Sequence, residues 1–116
     1  MILLICGSRN WTNKEIIKSE VLKIPNITKI IHGGCKGADI LGSVVAHELN
    51  IPIQIFNADW NLHGKSAGPK RNQKMLDEGK PDFVLAFHEN INESKGTKDM
   101  INRVIKSKID YKIIKL

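Results

Sequence analysis

Four short stretches of this chain carry residue types suited to holding an anion. They are Gly7-Ser8-Arg9-Asn10, Gly33-Gly34-Cys35-Lys36-Gly37-Ala38-Asp39, Gly64-Lys65-Ser66-Ala67-Gly68-Pro69-Lys70-Arg71-Asn72 and Ser94-Lys95-Gly96-Thr97. Glycine lets the backbone approach a ligand closely, and hydroxyl and backbone N–H groups donate to it. Arginine adds a planar fork that matches phosphate or carboxylate. The second stretch is the best organised. Ile30-Ile31-His32 ahead of it reads as a buried strand, and Ile40, Leu41, Val44, Val45 and Leu49 behind it recur at helical spacing. A strand, a glycine turn and a helix aim unpaired N–H groups at an anion, and the positive end of the helix reinforces them. Gly33, Gly34, Lys36 and Gly37 are therefore candidate phosphate ligands, and Asp39 is expected at the helix N-cap. Gly7, Ser8 and Arg9 join them from the first stretch, Gly68, Arg71 and Asn72 from the third, and Gly96 and Thr97 from the fourth. Arg71 and Asn72 are expected in the first turn of their helix, facing a ligand. Trp60 is a candidate to stack on a base, with a packing anchor as the alternative.

Two familiar phosphate motifs do not fit. A dinucleotide fingerprint needs glycine where His32 stands, and a P-loop ending at Gly64-Lys65-Ser66 needs glycine where Asp59 stands. The loops favour phosphate but belong to neither class.

The elements that must position these loops alternate along the chain. Strands are expected at Ile2–Cys6, Lys29–His32, Ile51–Phe56, Asp82–Phe87 and Tyr111–Ile114. A helix starts at Asn13 with Ile17, Val21 and Ile24 on one face, and Pro25-Asn26 stops it. The second helix runs to Leu49 with Asn50 as its C′ residue. Asn57 to Gly68 reads as irregular. Pro69 suits the first turn of a third helix ending at Gly79. Thr97 opens a fourth, with Met100, Ile101, Val104 and Ile105 on one face. Five strands joined by four helices predict a Rossmann-like α/β domain: an open parallel sheet with right-handed crossovers and helices on both faces. All loops that follow a strand then lie on one edge, where such sheets bind ligands.

Composition bounds the rest. At 116 residues with 41% hydrophobic content, a single domain over residues 1–116 is expected, and disorder is excluded. No apolar run approaches a membrane span, and Met1–Cys6 meets Gly-Ser-Arg too early for a signal peptide. Cys6 and Cys35 are too few for a disulfide framework, which points to a reducing, cytoplasmic setting. The histidines (His32, His47, His63, His88) are scattered, and no metal site is expected. A net charge of +6 suits an anionic partner, though Lys98, Lys106, Lys108, Lys112 and Lys115 equally suit a solvated surface.

Gly7-Ser8-Arg9, Gly33-Gly34-x-x-Gly37-Ala38-Asp39, Asp59-Trp60-x-x-x-Gly64-Lys65-x-Ala67-Gly68-Pro69-x-Arg71-Asn72-x-x-Met75 and Gly96-Thr97-x-x-Met100 stand in an order that resembles the YspA-like, cpYpsA-related branch of the SLOG superfamily. LOG phosphoribohydrolases and the DNA-processing protein DprA belong to the same superfamily. The resemblance spans nearly the whole chain, and its third block is the specific one. It implies a nucleotide-binding domain that senses or processes a nucleotide derivative such as an ADP-ribose-like ligand, with no other cofactor named. It also implies that copies can pair through helices as a homo-oligomer. LOG enzymes carry Pro-Gly-Gly-x-Gly-Thr-x-x-Glu, whose glutamate is central to breaking the N-glycosidic bond. Aligned on Gly96-Thr97, this chain has Met100 in its place, so the phosphate-clamping half is kept and the carboxylate half is lost or moved.

Asp39 is the candidate replacement carboxylate, with helix capping as the competing role. Three function classes stay open: binding of a nucleotide derivative, N-glycosidic or phosphoribosyl hydrolysis through a non-standard carboxylate, and DprA-like nucleic-acid binding. The last is disfavoured by the lack of aromatics interleaved with basic residues.

Overall fold

The computed structural model describes residues 1–115. Strands β1 (Ile2–Gly7), β2 (Lys29–His32), β3 (Ile53–Ile55), β4 (Phe83–Phe87) and β5 (Asp110–Ile114) form one sheet in the order β3-β2-β1-β4-β5. All four pairings are parallel. Helices α1 (Lys14–Leu22), α2 (Ala38–Glu48), α3 (Trp60–His63), α4 (Ala67–Gly79) and α5 (Gly96–Lys106) lie between the strands. This is the expected single α/β domain.

Two cores hold it together, one on each sheet face. Alternate residues of a strand point to opposite faces. Leu3, Ile5 and Ile30 thus meet Ile17, Val21, Val45 and Ala46 of α1 and α2. Leu4, Cys6 and Ile31 meet Met75, Leu76, Met100, Ile101 and Val104 of α4 and α5. β1 is buried on both faces and both edges, so its C-terminal end is the best-fixed point in the sheet.

Helix ends follow local chemistry. The Asn13 side chain accepts from the Ile16 N–H, as expected of an N-cap. Asn50 takes a φ of +57° just past α2, as expected of a C′ residue.

The structure also corrects several boundaries. β3 is three residues long because the Ile51 N–H bonds Ala46 at the end of α2 and Pro52 has no N–H to give. The stretch read as irregular contains α3, a single turn capped by Asp59, whose carboxylate accepts from the Leu62 N–H. One turn is too short to show a period. A 3₁₀ turn (Gly64–Ser66) then leads into α4 at Ala67. Pro69 is in the first turn, but Arg71 and Asn72 fall in the second. Ile40, Val44 and Ile105, counted in the apolar patterns of their helices, are exposed. The sheet ends at the short edge strand β3, which leaves Ile53 and Ile55 open as well.

Candidate functional site

The chain builds β1, β2 and β3 outward to one side, then returns for β4 and β5 on the other. Between the C-terminal ends of β1 and β4 this reversal opens a crevice, the place where open α/β sheets hold ligands. A cavity of about 350 Å³ lies there. Gly7, Ser8, Arg9 and Asn10 line it after β1, Cys35 and Asp39 after β2, and His88 after β4. Arg71, Asn72 and Met75 reach it from α4, and Ser94, Lys95, Gly96, Thr97 and Met100 from the start of α5. Cys6 closes the floor.

Eight of the expected residues therefore meet in one place: Gly7, Ser8, Arg9, Asp39, Arg71, Asn72, Gly96 and Thr97. Gly33, Gly34, Lys36, Gly37, Gly68 and Trp60 are not part of the lining. Trp60 is half exposed, and its ring edge lies against Gly68. His88 was missed, although it is the first residue after β4 and the topology alone places it on the ligand edge.

The glycine loop differs most from expectation. Its first three N–H groups are already taken. Oδ2 of Asp39 accepts from the N–H of Gly33 at 3.0 Å and of Cys35 at 3.2 Å, and the Gly34 N–H donates to Nδ1 of His32 at 2.9 Å. The helix begins two residues earlier than expected, with Gly37 as its N-cap at φ 82° and ψ −128°. Asp39 is then the second residue of α2 and folds back over the loop instead of capping the helix. The loop fills its own anion site with its own carboxylate. Gly37 is required twice, by its positive φ and by the Ser8 and Arg9 backbone, against which a Cβ would collide. Ser8 ties the two loops together: its carbonyl accepts from the Ala38 N–H at 3.0 Å and its Oγ from the Asn10 N–H at 3.0 Å.

Burial dominates the acidity of Asp39. It pushes the carboxyl up to about 6, only partly offset by the Cys35 and Gly33 N–H groups and the charges of Arg71 and Arg9. Burial lowers His32 to about 4, with Arg71 adding to it, so this ring stays neutral. Its Nε2 then donates to Ser43 Oγ, since Nδ1 is already an acceptor. Burial first, then the charge of Asp39, pushes the Cys6 thiol far up, keeping it protonated and inert.

Arg71 is engaged inside the protein. Nη1 donates to the Gly33 carbonyl at 2.5 Å, Nε to Asn72 Oδ1 at 3.1 Å, and Nη2 lies 3.8 Å from Cys35 Sγ. A Cβ on Gly33 would sit 2.6 Å from Nη1. Asn72, expected to face a ligand, lines the cavity, is 5% exposed and also works as a strut. Its Nδ2 donates to the Gly96 carbonyl at 3.3 Å and to Asp99 Oδ2 at 3.0 Å, fixing α4 to the start of α5. Asp99 also accepts from Arg103 Nε at 2.8 Å. Partial burial opposes its ionisation, but Arg103 and Asn72 outweigh that and hold the carboxyl below its ordinary range.

The start of α5 is the more open anion site. Ser94 Oγ accepts from the Thr97 N–H at 3.0 Å, and the space beside Gly96 is empty to 4 Å. Arg9, Arg71 and Lys95 line the same cavity from three different elements. Such a cavity can neutralise an anionic group, present a carboxylate acceptor, and rest an apolar part on Cys6, Met75 and Met100.

A parallel α/β domain with a cationic cavity at its strand-order reversal belongs to the broad class of Rossmann-like ligand-binding folds. A sequence model of the YspA, cpYpsA-related SLOG family (YAcAr) matches residues 1–63. The Gene 61 protein of Mycobacterium phage D29 is 32% identical over 116 residues, covering 92% of this chain and 90% of the phage protein. The chain belongs to the YspA, cpYpsA-related SLOG family. No solved structure matches it.

Proposed function

We propose that this protein binds a nucleotide or nucleotide derivative, of which an ADP-ribose-like molecule is the leading type, in the cavity between β1 and β4. The observation that carries this reading is that Arg9, Arg71 and Lys95 line one cavity together with the start of α5, at the reversal of strand order. Family membership supports a nucleotide-related role in general. A phosphate belongs beside Gly96, Thr97 and Arg9, since Asp39 already fills the glycine loop. Thermal-shift measurements with AMP, ADP-ribose and NAD test the proposal. Stabilisation by at least one is expected, reduced in Arg9→Ala. No stabilisation of well-folded protein by any of them would refute it. Stabilisation only by oligonucleotides, collapsing between low and moderate salt, would instead favour a DprA-like role.

One observation favours turnover as a second reading: Asp39 places a carboxylate with a raised pKa inside the cavity. Met100 offers neither charge nor proton acceptor where LOG enzymes have glutamate. Release of free base from AMP that disappears in Asp39→Asn would support hydrolysis. Release seen only in Met100→Glu would support a pure binding domain.

A further inference from the structure

We infer that Asp39 holds the hydroxyls of the ligand's ribose, so that the site selects ribonucleotides over their deoxy counterparts. The inference rests on the nucleotide reading above and adds to it which sugar is taken and which residue reads it.

Asp39 is 5% exposed and lines the cavity. A carboxylate has about four lone-pair sites. Oδ2 receives both of the side chain's hydrogen bonds, from Gly33 and Cys35. Oδ1 receives none among the described residues. Every fully enclosed side-chain nitrogen or oxygen among those residues has a partner, so Oδ1 must open onto accessible space. That space is the cavity.

Among the described residues no cation forms a hydrogen bond or ion pair with Oδ1. Arg71 directs Nε and Nη1 to Asn72 and Gly33 and its Nη2 toward Cys35. Arg9 acts on Asp39 only through its charge, and the nearby Cys6 thiol is kept neutral. A phosphate would be repelled at this position. What the free oxygen can take is one or two neutral donors close together, and the vicinal diol of a ribose supplies them. Because Oδ2 is held by two backbone groups, the side chain has little freedom to follow a misplaced donor. That is the condition under which a missing hydroxyl is felt strongly.

The test is calorimetric titration of the full chain with AMP, 2′-deoxy-AMP and 3′-deoxy-AMP, in the wild type and in Asp39→Asn. In the wild type, loss of at least one hydroxyl should weaken binding about ten-fold or more. In Asp39→Asn the gap between ribo and deoxy ligands should shrink. Equal wild-type affinity for all three would overturn the inference while leaving the nucleotide site standing. Failure of all three to bind, with ADP-ribose and NAD also giving no stabilisation, would remove the nucleotide reading itself, and this inference with it. If Asp39→Asn does not fold, the wild-type comparison decides alone.

Discussion

The loops entering α2 and α5 look alike on paper: glycine, a lysine and a hydroxyl or acid where a helix begins. In the folded chain they have opposite fates. The α2 loop is closed upon itself, with Asp39 accepting from Gly33 and Cys35 and the Ser8 carbonyl accepting from Ala38. The α5 loop faces empty space beside Gly96. The difference lies in where the acid falls. Asp39 is the second residue of its helix and can reach back over the turn. Asp99 is the fourth of its helix, and its carboxylate meets Arg103 at i+4 and Asn72 across the interface. A glycine turn before a helix is an anion site only if no nearby carboxylate has already taken it.

The sharpest way to break this contrast is to give each loop a methyl group. Gly37→Ala places a Cβ in a left-handed conformation against the Ser8 and Arg9 backbone, and should cost at least ~3 kcal/mol. Gly96→Ala meets nothing within 4 Å, and should raise stability by about 0.4–1 kcal/mol through the unfolded chain. Urea denaturation of both variants measures the difference. Similar losses in both would mean that the α5 loop is as constrained as the other.

The two acids should also respond to pH in opposite directions. Folding raises the Asp39 carboxyl from 3.8 to about 6, so the folded chain holds that proton more tightly. The resulting stabilisation is complete below the lower value and is lost as pH rises through the higher one, by up to ~3 kcal/mol. Asp39→Asn should flatten this fall. Asp99 is shifted downward, so its contribution is present above the ordinary carboxylate range and disappears as pH falls through its folded value. Asp99→Asn should flatten the acid limb instead. Stability curves between pH 3 and 8 would show whether the slopes separate.

Arg71→Lys sharpens the comparison from the closed side. Lysine cannot span both Gly33 and Asn72, so we expect a loss of about 1.5–3 kcal/mol in stability. Nucleotide affinity should weaken about ten-fold, measured by titration. A change in affinity with stability untouched would mean that the guanidinium leaves the loop to serve the ligand. The smallest effect belongs to Trp60→Ala, where a half-exposed ring outside the cavity is lost. Stability should change by no more than about 1 kcal/mol and nucleotide affinity should stay the same. A large drop in affinity would show that the ligand extends over α3.

The sheet was legible because each strand is a short apolar run bounded by turn residues, and because β1 and β4, buried on both faces, have no competing reading. The ligand edge followed from topology alone, and with it Ser8, Arg9 and Thr97. Three features were not legible. A two-residue shift in the start of α2 decides whether Asp39 caps the helix or fills the loop, and residue spacing does not fix a helix start that finely. The strut role of Asn72 was hidden because its partners, Gly96 and Asp99, lie 24 and 27 residues away in sequence. α3 is one turn long and shows no periodicity.

The central position of β1 has a consequence for how the protein emerges from the ribosome. Its partner on one side, β2, follows within about thirty residues, at translation rates of ~5–20 residues per second. Its partner on the other side, β4, begins only at Phe83. Until then the first half carries an unpaired strand edge, and Leu4, Cys6 and Ile31 lack the helices that will cover them. The nascent chain therefore passes through a stage at which its most regular half is also its most adhesive. Completion of β4 and α5 ends that exposure in the same step that closes the cavity.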